Sequence, residues 1–467
     1  MKRERGELGP STGIVAGVFG FVALVLVSGS YVAHTVDSGS PRADAAEVSG
    51  APGSRIVELT DDGAWSWLPD PRAVGHAGSP GLTYVGWVDA AGDVWIASHD
   101  VGSDAIERTR LTDGLGGDDH SNPSILVMPD GRVTAFYSAH GGEAVYSRTT
   151  SSPGDIADWD EPRAVTDVRP FAGRKWGYTY PNALRLPDEG GRIFVFFRGP
   201  DFKQWFVTSA DGVNWSDEIP LMSGVGAKPY FKYASDGTGT IHIAFTDGHP
   251  RGDQTNSIYY MSYHRSAFQR ADGTLVVGTE DLPFSPGDAD TVYDGVSGGA
   301  PAWIADVSVD GSGRPVVVYA TFEASDDHRC RYAIWDGDQW SDHEITPTGS
   351  SFAGRPARRR GPFGRPLDFL FGGAAIDPRD ASVVYVSRQV GETYEIERWK
   401  TADCGRTWAG LPVTGGSEAH NVRPAVPRDA TTGAPVVLWL TGTYDDYDSY
   451  DLAVRMLLPG DGGSELE

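Results

Sequence analysis

The stretch Asp130-GRVTAFYS, residues 130–138, decides the fold. An Asp-Gly pair makes a tight turn, and the residues after it alternate β-branched, small and aromatic side chains with period two, as the returning strand of a hairpin does. The phrase recurs as Asp89-AAGDVWIAS, Asp188-EGGRIFVFF, Asp236-GTGTIHIAF, Asp310-GSGRPVVVY, Asp380-ASVVYVS and Asp429-ATTGAPVVLWL. Seven such hairpins, each with enough chain around it for one sheet, predict an all-β fold: a seven-bladed β-propeller of four-stranded antiparallel blades. Long helical periodicity is absent, and a jelly roll or sandwich has no need of seven equivalent hairpins. Two further phrases, Thr208-SADGVNW and Thr401-ADCGRTW, read as turns whose Asp accepts backbone N–H groups while Trp215 or Trp408 packs between blades.

Composition narrows the partners. With 39 Lys and Arg against 64 Asp and Glu in 467 residues, the formal charge of −25 argues against nucleic acid or an anionic membrane surface. Sixty glycines and 31 prolines make the chain turn-rich, and 14 Trp, 19 Tyr and 18 Phe are too many for disorder. Lys2, Arg3 and Arg5 precede an uncharged run from Gly13 to Ala33, and Ala43-Asp44-Ala45 offers small residues for cleavage. Residues 1–54 are therefore read as a signal peptide or an uncleaved membrane anchor with a polar linker, 55–460 as one propeller, and 461–467 as a disordered tail. The propeller is expected outside the cell, secreted or surface-anchored, as a monomer that meets the membrane only through its N-terminal segment.

Ahead of the hairpin turns, where each innermost strand should start, the sequence is unusually polar. The starts read Asp70-Pro71-Arg72, His120-Ser121-Asn122-Pro123, Tyr178-Thr179-Tyr180-Pro181-Asn182, Lys228-Pro229-Tyr230 and Asn421-Val422-Arg423-Pro424, with blander Pro301-Ala302-Trp303 and Gly372-Gly373-Ala374. Innermost strands surround the central channel, so these residues should converge on one mouth. Asn122, Tyr178, Asn182, Lys228, Tyr230 and Arg423 are thereby candidates for substrate binding, though Pro and Asn also shape the beginnings of strands for purely structural reasons. His140 and Arg198 end the second strands of blades two and three, in the same neighbourhood.

Cys330 and Cys404 are the only cysteines. In an exported chain they can pair as a disulfide; with His264 and His328 they also make two thiolates and two imidazoles, the ligand set of a tetrahedral structural zinc. Two unrelated thiols is the third reading. The basic run Arg355, Arg358, Arg359, Arg360 and Arg365 is either a solvated loop or a device that steers a polyanion.

Taken in order, Asp62-GAWSWLPDPRAV, Asp118-DHSNPS, Tyr137-SAHG, Tyr178-TYPN, Phe197-RG, Lys228-PYFKY, Phe245-TDGHP and Asn421-VRP resemble the BNR-repeat (Asp-box) propellers that include the ulvan lyases, polysaccharide lyase families 24 and 25. The resemblance implies cleavage of a uronate-containing polysaccharide by β-elimination, an anionic polysaccharide as partner and no organic cofactor. Carried over by motif, His120, His140, a tyrosine of YTYPN, Arg198 and a tyrosine of KPYFKY would form the site. Tyr178 and Tyr180 are two apart and should face the same side of a strand, so the choice of Tyr180 rests on its place before Pro-Asn. Arg198 suits the carboxylate, and His120 and Tyr180 are expected as the acid–base pair, in either order. A non-catalytic glycan-binding propeller and a sialidase-like glycosidase are the alternatives.

Overall fold

The computed structural model describes residues 53–169, 177–223, 228–250, 256–353, 369–430 and 434–460. The expectations for residues 1–52, for the tail 461–467 and for Arg355 to Arg365 fall outside the described residues. Seven antiparallel sheets follow one another along the chain. Their innermost strands are Ala73–Gly75, Ser124–Val127, Thr179–Leu186, Phe231–Ser235, Ala302–Val309, Ala374–Asp377 and His420–Ala425. Successive inner strands pack side by side, and the parallel bridge between Val74 and Arg428 joins the last blade to the first. The early strand Arg55–Thr60 pairs with Ser449–Leu458, so the two ends of the propeller share blade seven.

The phrases at Asp130, Asp188, Asp236 and Asp310 form the turn between a blade's first and second strands, Asp380 opens the second strand of blade six, and Asp429 follows the first strand of blade seven. The chemistry is visible in blade four, where Asp236 Oδ1 accepts the N–H of Thr238 at 2.8 Å and of Thr240 at 3.0 Å, and Gly237 takes the left-handed conformation at φ 78°. Blade one differs: its first hairpin turns through His76–Gly81, and the Asp89 phrase lies between its second and third strands, Leu82–Val88 and Val94–Asp100. Blade four also departs from four strands. Ala267–Gln269, Leu275–Gly278 and Asp290–Tyr293 extend its sheet to six.

Middle strands are apolar on both sides because each face meets another blade. Ile193 to Arg198 are buried throughout: Ile193, Val195 and Phe197 join Phe136 of blade two, while Phe194 and Phe196 join Tyr233 and Tyr263 of blade four. The Asp-box turns do their expected work. Asp211 accepts the N–H groups of Val213 and Asn214 at 2.8 Å each, and Trp215 meets Phe136 edge-on across the blade boundary at 5.8 Å. Trp408 meets Tyr332 of blade five in the same way at 5.1 Å.

Between the closing strand and blade one, the chain crosses the channel. Trp65 and Trp67 are buried there, Trp65 Nε1 donating to Arg423 O and Trp67 Nε1 to Ile304 O, both at 3.0 Å. The Trp67 ring sits edge-on to Trp303 of blade five and Phe371 at the head of blade six. This segment closes the channel below the polar starts of the inner strands.

Candidate active site

Blade two begins with the short 3-10 turn Asp119–Ser121, capped by Asp118, whose carboxylate accepts the His120 N–H at 3.0 Å. The same carboxylate holds two rings. Its Oδ1 lies 2.6 Å from His120 Nδ1 and its Oδ2 2.8 Å from His140 Nδ1. The two imidazoles stack with centroids 4.2 Å apart and 18° between planes. With both Nδ1 atoms turned to Asp118, each Nε2 is the nitrogen left for a substrate. A second carboxylate, Asp119, lies 2.9 Å from His120 Nδ1 and is itself held by Arg423 and by the Tyr444 hydroxyl at 2.8 Å.

Tyr180 faces this pair, its ring 5.4 Å from His120 and 6.5 Å from His140. It adopts φ 60°, and the pairing of Thr179–Leu186 with Arg192–Arg198 shifts between Thr179 and Asn182. That bulge reverses the expectation that Tyr178 and Tyr180 share a side. Tyr178 packs between blades two and three with its hydroxyl on Glu218, while Tyr180 enters the site. The Arg198 guanidinium lies over the Tyr180 ring at 4.5 Å; its Nη2 donates to Thr179 Oγ1 at 3.5 Å, and its buried Nε meets no acceptor among the described residues. On the far side, Phe202 lies 5.6 Å from Arg198 and 4.2 Å from Lys228 Nζ. Tyr230 adjoins Tyr180 at 6.3 Å and continues into Trp303 and His249. Tyr447, from the last hairpin of blade seven, meets both imidazoles edge-on at 5.1 and 5.6 Å.

The shared carboxylate splits the two histidines. Burial opposes charge on His120, but Asp119 and Asp118 outweigh it and bring its pKa up to about 9. His140 moves the other way: burial and then the neighbouring charge of His120 lower its pKa, and Asp118 compensates only in part. Near neutral pH the pair therefore consists of an imidazolium and a neutral imidazole. Burial raises the Tyr180 phenol well above its ordinary value despite the opposing charge of Arg198, so it stays protonated. The histidine side chains, 17 and 19 % exposed, are the wetter part of a site in which Tyr180 and Arg198 are buried.

Several expected residues have structural duties instead. Asn122 accepts the Ser66 N–H at 3.0 Å, Asn182 donates to Tyr180 O at 3.0 Å, and both are buried. Arg423 is buried beneath His120, donating to Trp65 O at 2.7 Å and pairing with Asp119. Asn122, Tyr178 and Arg423 thus commit hydrogen bonds to Ser66, Glu218 and Asp119, and Asn182 bonds within its own strand, so in this structure each of the four supports the walls of the site. Asp118, Asp119, Tyr444 and Tyr447 were not anticipated; the doubled aspartate before His120 was the available signal. The four zinc candidates do not converge. Cys330 is buried in the third strand of blade four's successor, Asp327–Trp335, with His328 against Phe322. Cys404 is exposed in the second Asp-box turn beside Arg314, and His264 Nδ1 faces Gly239 O in blade four. Both thiols are free, so the disulfide is not formed either. Among the described residues, Asp118, His120 and His140 are the group whose donor atoms cluster as metal ligands do. Their 2.6 and 2.8 Å contacts are hydrogen-bond separations, shorter than the roughly 3.3 Å between two ligands of one tetrahedral zinc.

Fold and site together define a β-propeller with a histidine–tyrosine–arginine cluster at the head of its inner strands. The family model for BNR repeat-containing family members matches residues 82–348, more than half of the chain. The chain belongs to this BNR repeat-containing family. It is 23 % identical over 313 residues to Ulvan Lyase-PL25 of Pseudoalteromonas sp. (strain PLSV), a match over 56 % of this chain and 61 % of that relative. Among solved structures, a polysaccharide lyase family PL25 ulvan lyase bound to -[GlcA(1-4)Rha3S]- superposes with a TM-score of 0.67 at 16 % identity, covering 87 % of this chain and 96 % of its own. Polysaccharide lyase Uly1 gives 0.54 at 11 % identity, covering 88 and 100 %. These structural likenesses bear on the fold.

Proposed function

We propose that the chain is an exported polysaccharide lyase that cleaves a uronate-containing, rhamnose/glucuronate (ulvan-like) polysaccharide by β-elimination. The observation that carries this reading is the Asp118-bridged pair, one histidine charged and one neutral, facing Tyr180 and Arg198. Elimination needs a base for the C5 proton, an acid for the leaving C4 oxygen and a cation for the carboxylate, and it uses no water as nucleophile. The neutral His140, with Nε2 unprotonated when Nδ1–H donates to Asp118, supports the role of base. Tyr180, held as a phenol, suits the acid, and His120 as imidazolium suits stabilisation of the enolate that develops at the carboxylate. Arg198, whose guanidinium lies over the Tyr180 ring, is the cation for that carboxylate. Relative to the expected His120–Tyr180 pair, the base moves to the neighbouring ring. Export rests on the basic residues before the apolar run Gly13 to Ala33.

The decisive assay is incubation of the purified propeller with ulvan, followed by the ultraviolet absorbance of a 4,5-unsaturated uronate at the new non-reducing end. Growth of that absorbance with falling polymer size supports the reading. Glycan binding without any unsaturated product would replace it with a binding propeller, and saturated products with a glycosidase.

A further inference from the structure

The buried cations around the channel are held in two different ways. Beside Trp67, Lys232 lies 3.0 Å and Arg72 3.2 Å from the Asp70 carboxylate, and Arg428 joins Asp70 at 3.4 Å to Asp306 at 2.8 Å. Beside His120, Arg423 pairs with Asp119. Arg198, only 3 % exposed, has no carboxylate partner among the described residues. Its guanidinium meets the Thr179 hydroxyl at 3.5 Å, the Tyr180 ring at 4.5 Å and the Phe202 ring at 5.6 Å. A carboxylate partner neutralises a cation and competes with an incoming anion. Aromatic faces orient the cation and leave its charge in place.

Phe202 takes up this position against its backbone preference. It stands in the hairpin loop between Arg192–Arg198 and Gln204–Ser209, where its N–H donates to Gly199 O at 3.0 Å and the Gly199 N–H to Lys203 O at 2.8 Å. Its φ is 63°, in the left-handed region that glycine enters freely and a bulky side chain rarely occupies. Strain of this kind persists where the side chain has a task. The half-buried ring also meets Lys228, whose Nζ lies 4.2 Å from its centroid. Tyr180, Arg198, Phe202 and Lys228 thus alternate ring and cation, and the Phe202 ring attracts two cations that repel each other. Both rings against Arg198 belong to residues at positive φ, 60° and 63°.

We propose that Phe202 is the positioning residue for Arg198. Its ring, anchored by Lys228, keeps the guanidinium against Tyr180 with its charge unneutralised, so that the carboxylate of a uronate sugar supplies the counter-ion that the site itself lacks. The inference rests on the reading of Arg198 as the cation for the substrate carboxylate, and adds how that cation is kept both oriented and unpaired.

The test uses protein carrying Tyr180→Phe, which keeps the ring against Arg198 and removes the proposed acid, so that calorimetry reads ulvan binding without turnover. In this parent, Phe202→Leu should weaken binding about 5–30-fold with the melting temperature little changed, because apolar volume is kept while the attraction of ring for guanidinium is lost. Phe202→Trp, which keeps an aromatic face, should bind within a few-fold of the parent. Added to Arg198→Ala, Phe202→Leu should weaken binding no further, a coupling that a ring serving only as packing does not show. Unchanged affinity in Phe202→Leu, or the same loss with Arg198 already removed, overturns this inference and leaves the lyase reading standing. A parent that binds no ulvan overturns the proposed substrate together with it.

Discussion

Asp118 sets the chemistry of the two histidines by giving each of its oxygens to one Nδ1. The proposed elimination needs His140 neutral and His120 charged. Turnover should therefore fall on the acid side as His140 takes a proton, below the ordinary histidine value, and on the alkaline side as His120 loses one near pH 9. A pH profile of kcat checks both limbs. Because the folded pKa of His120 lies above its unfolded value, its pairing stabilises the fold fully below about pH 6.5 and loses that contribution as pH rises through about 9. Asp118→Asn should cut turnover by about 10²–10⁴-fold and move the alkaline limb to lower pH; an unmoved limb would assign it to another group. Tyr180→Phe and His140→Ala should abolish unsaturated product with the melting temperature little changed. Arg198→Ala should raise KM and lower kcat together, because the carboxylate is bound in both ground and transition states.

Among the elements, the bulges of the inner strands decide which side chains reach the site. Tyr180 and Arg423 both stand before proline, at φ 60° and 54°, where the pairing of their strands slips. A residue before proline is kept from the right-handed helical region, and the left-handed alternative costs on the order of 1–3 kcal/mol, a cost accepted where the side chain must leave the strand's alternation. Such placement explains why Tyr180, and not Tyr178, faces His120. At the other end of blade seven, the closing strand Arg55–Thr60 buries Leu59 completely against the last sheet. Leu59→Ala should destabilise the propeller by about 2–5 kcal/mol, measured by denaturant unfolding. A negligible change would mean that this strand does not clasp the ring.

For the whole molecule, the dominant quantity is a formal charge of −25 against a proposed polyanionic substrate. Repulsion over distances beyond the site is screened within about 10 Å at 0.1 M salt, whereas the buried contacts of Arg198 are not. The rate at low substrate concentration should consequently rise with moderate salt before it falls. A steady fall from the lowest salt would show that local cations around Lys228 and Arg198 already outweigh the net charge.

The hairpin phrases by themselves determined the number of blades and the polar starts of their inner strands, because turn chemistry and period-two alternation are local properties of the chain. Polar side chains at strand starts and ends made His120, His140, the two tyrosines of YTYPN and Arg198 candidates, and the resemblance to the ulvan lyases grouped them as one site. Asp118 was visible beside His120 but its grip on His140 was not, for that contact joins the beginning of blade two to the end of its second strand. Alternation misassigned Tyr178 because a single bulge inverts sidedness, and bulges follow from the register between strands. The zinc set fails for a related reason: residue types can be counted along a chain, but their convergence depends on which blade and which face each one occupies. Only the closed ring brought Asp70, Lys232, Asp306 and Arg428 into one buried cluster, since ion pairs across a channel are made by residues hundreds of positions apart.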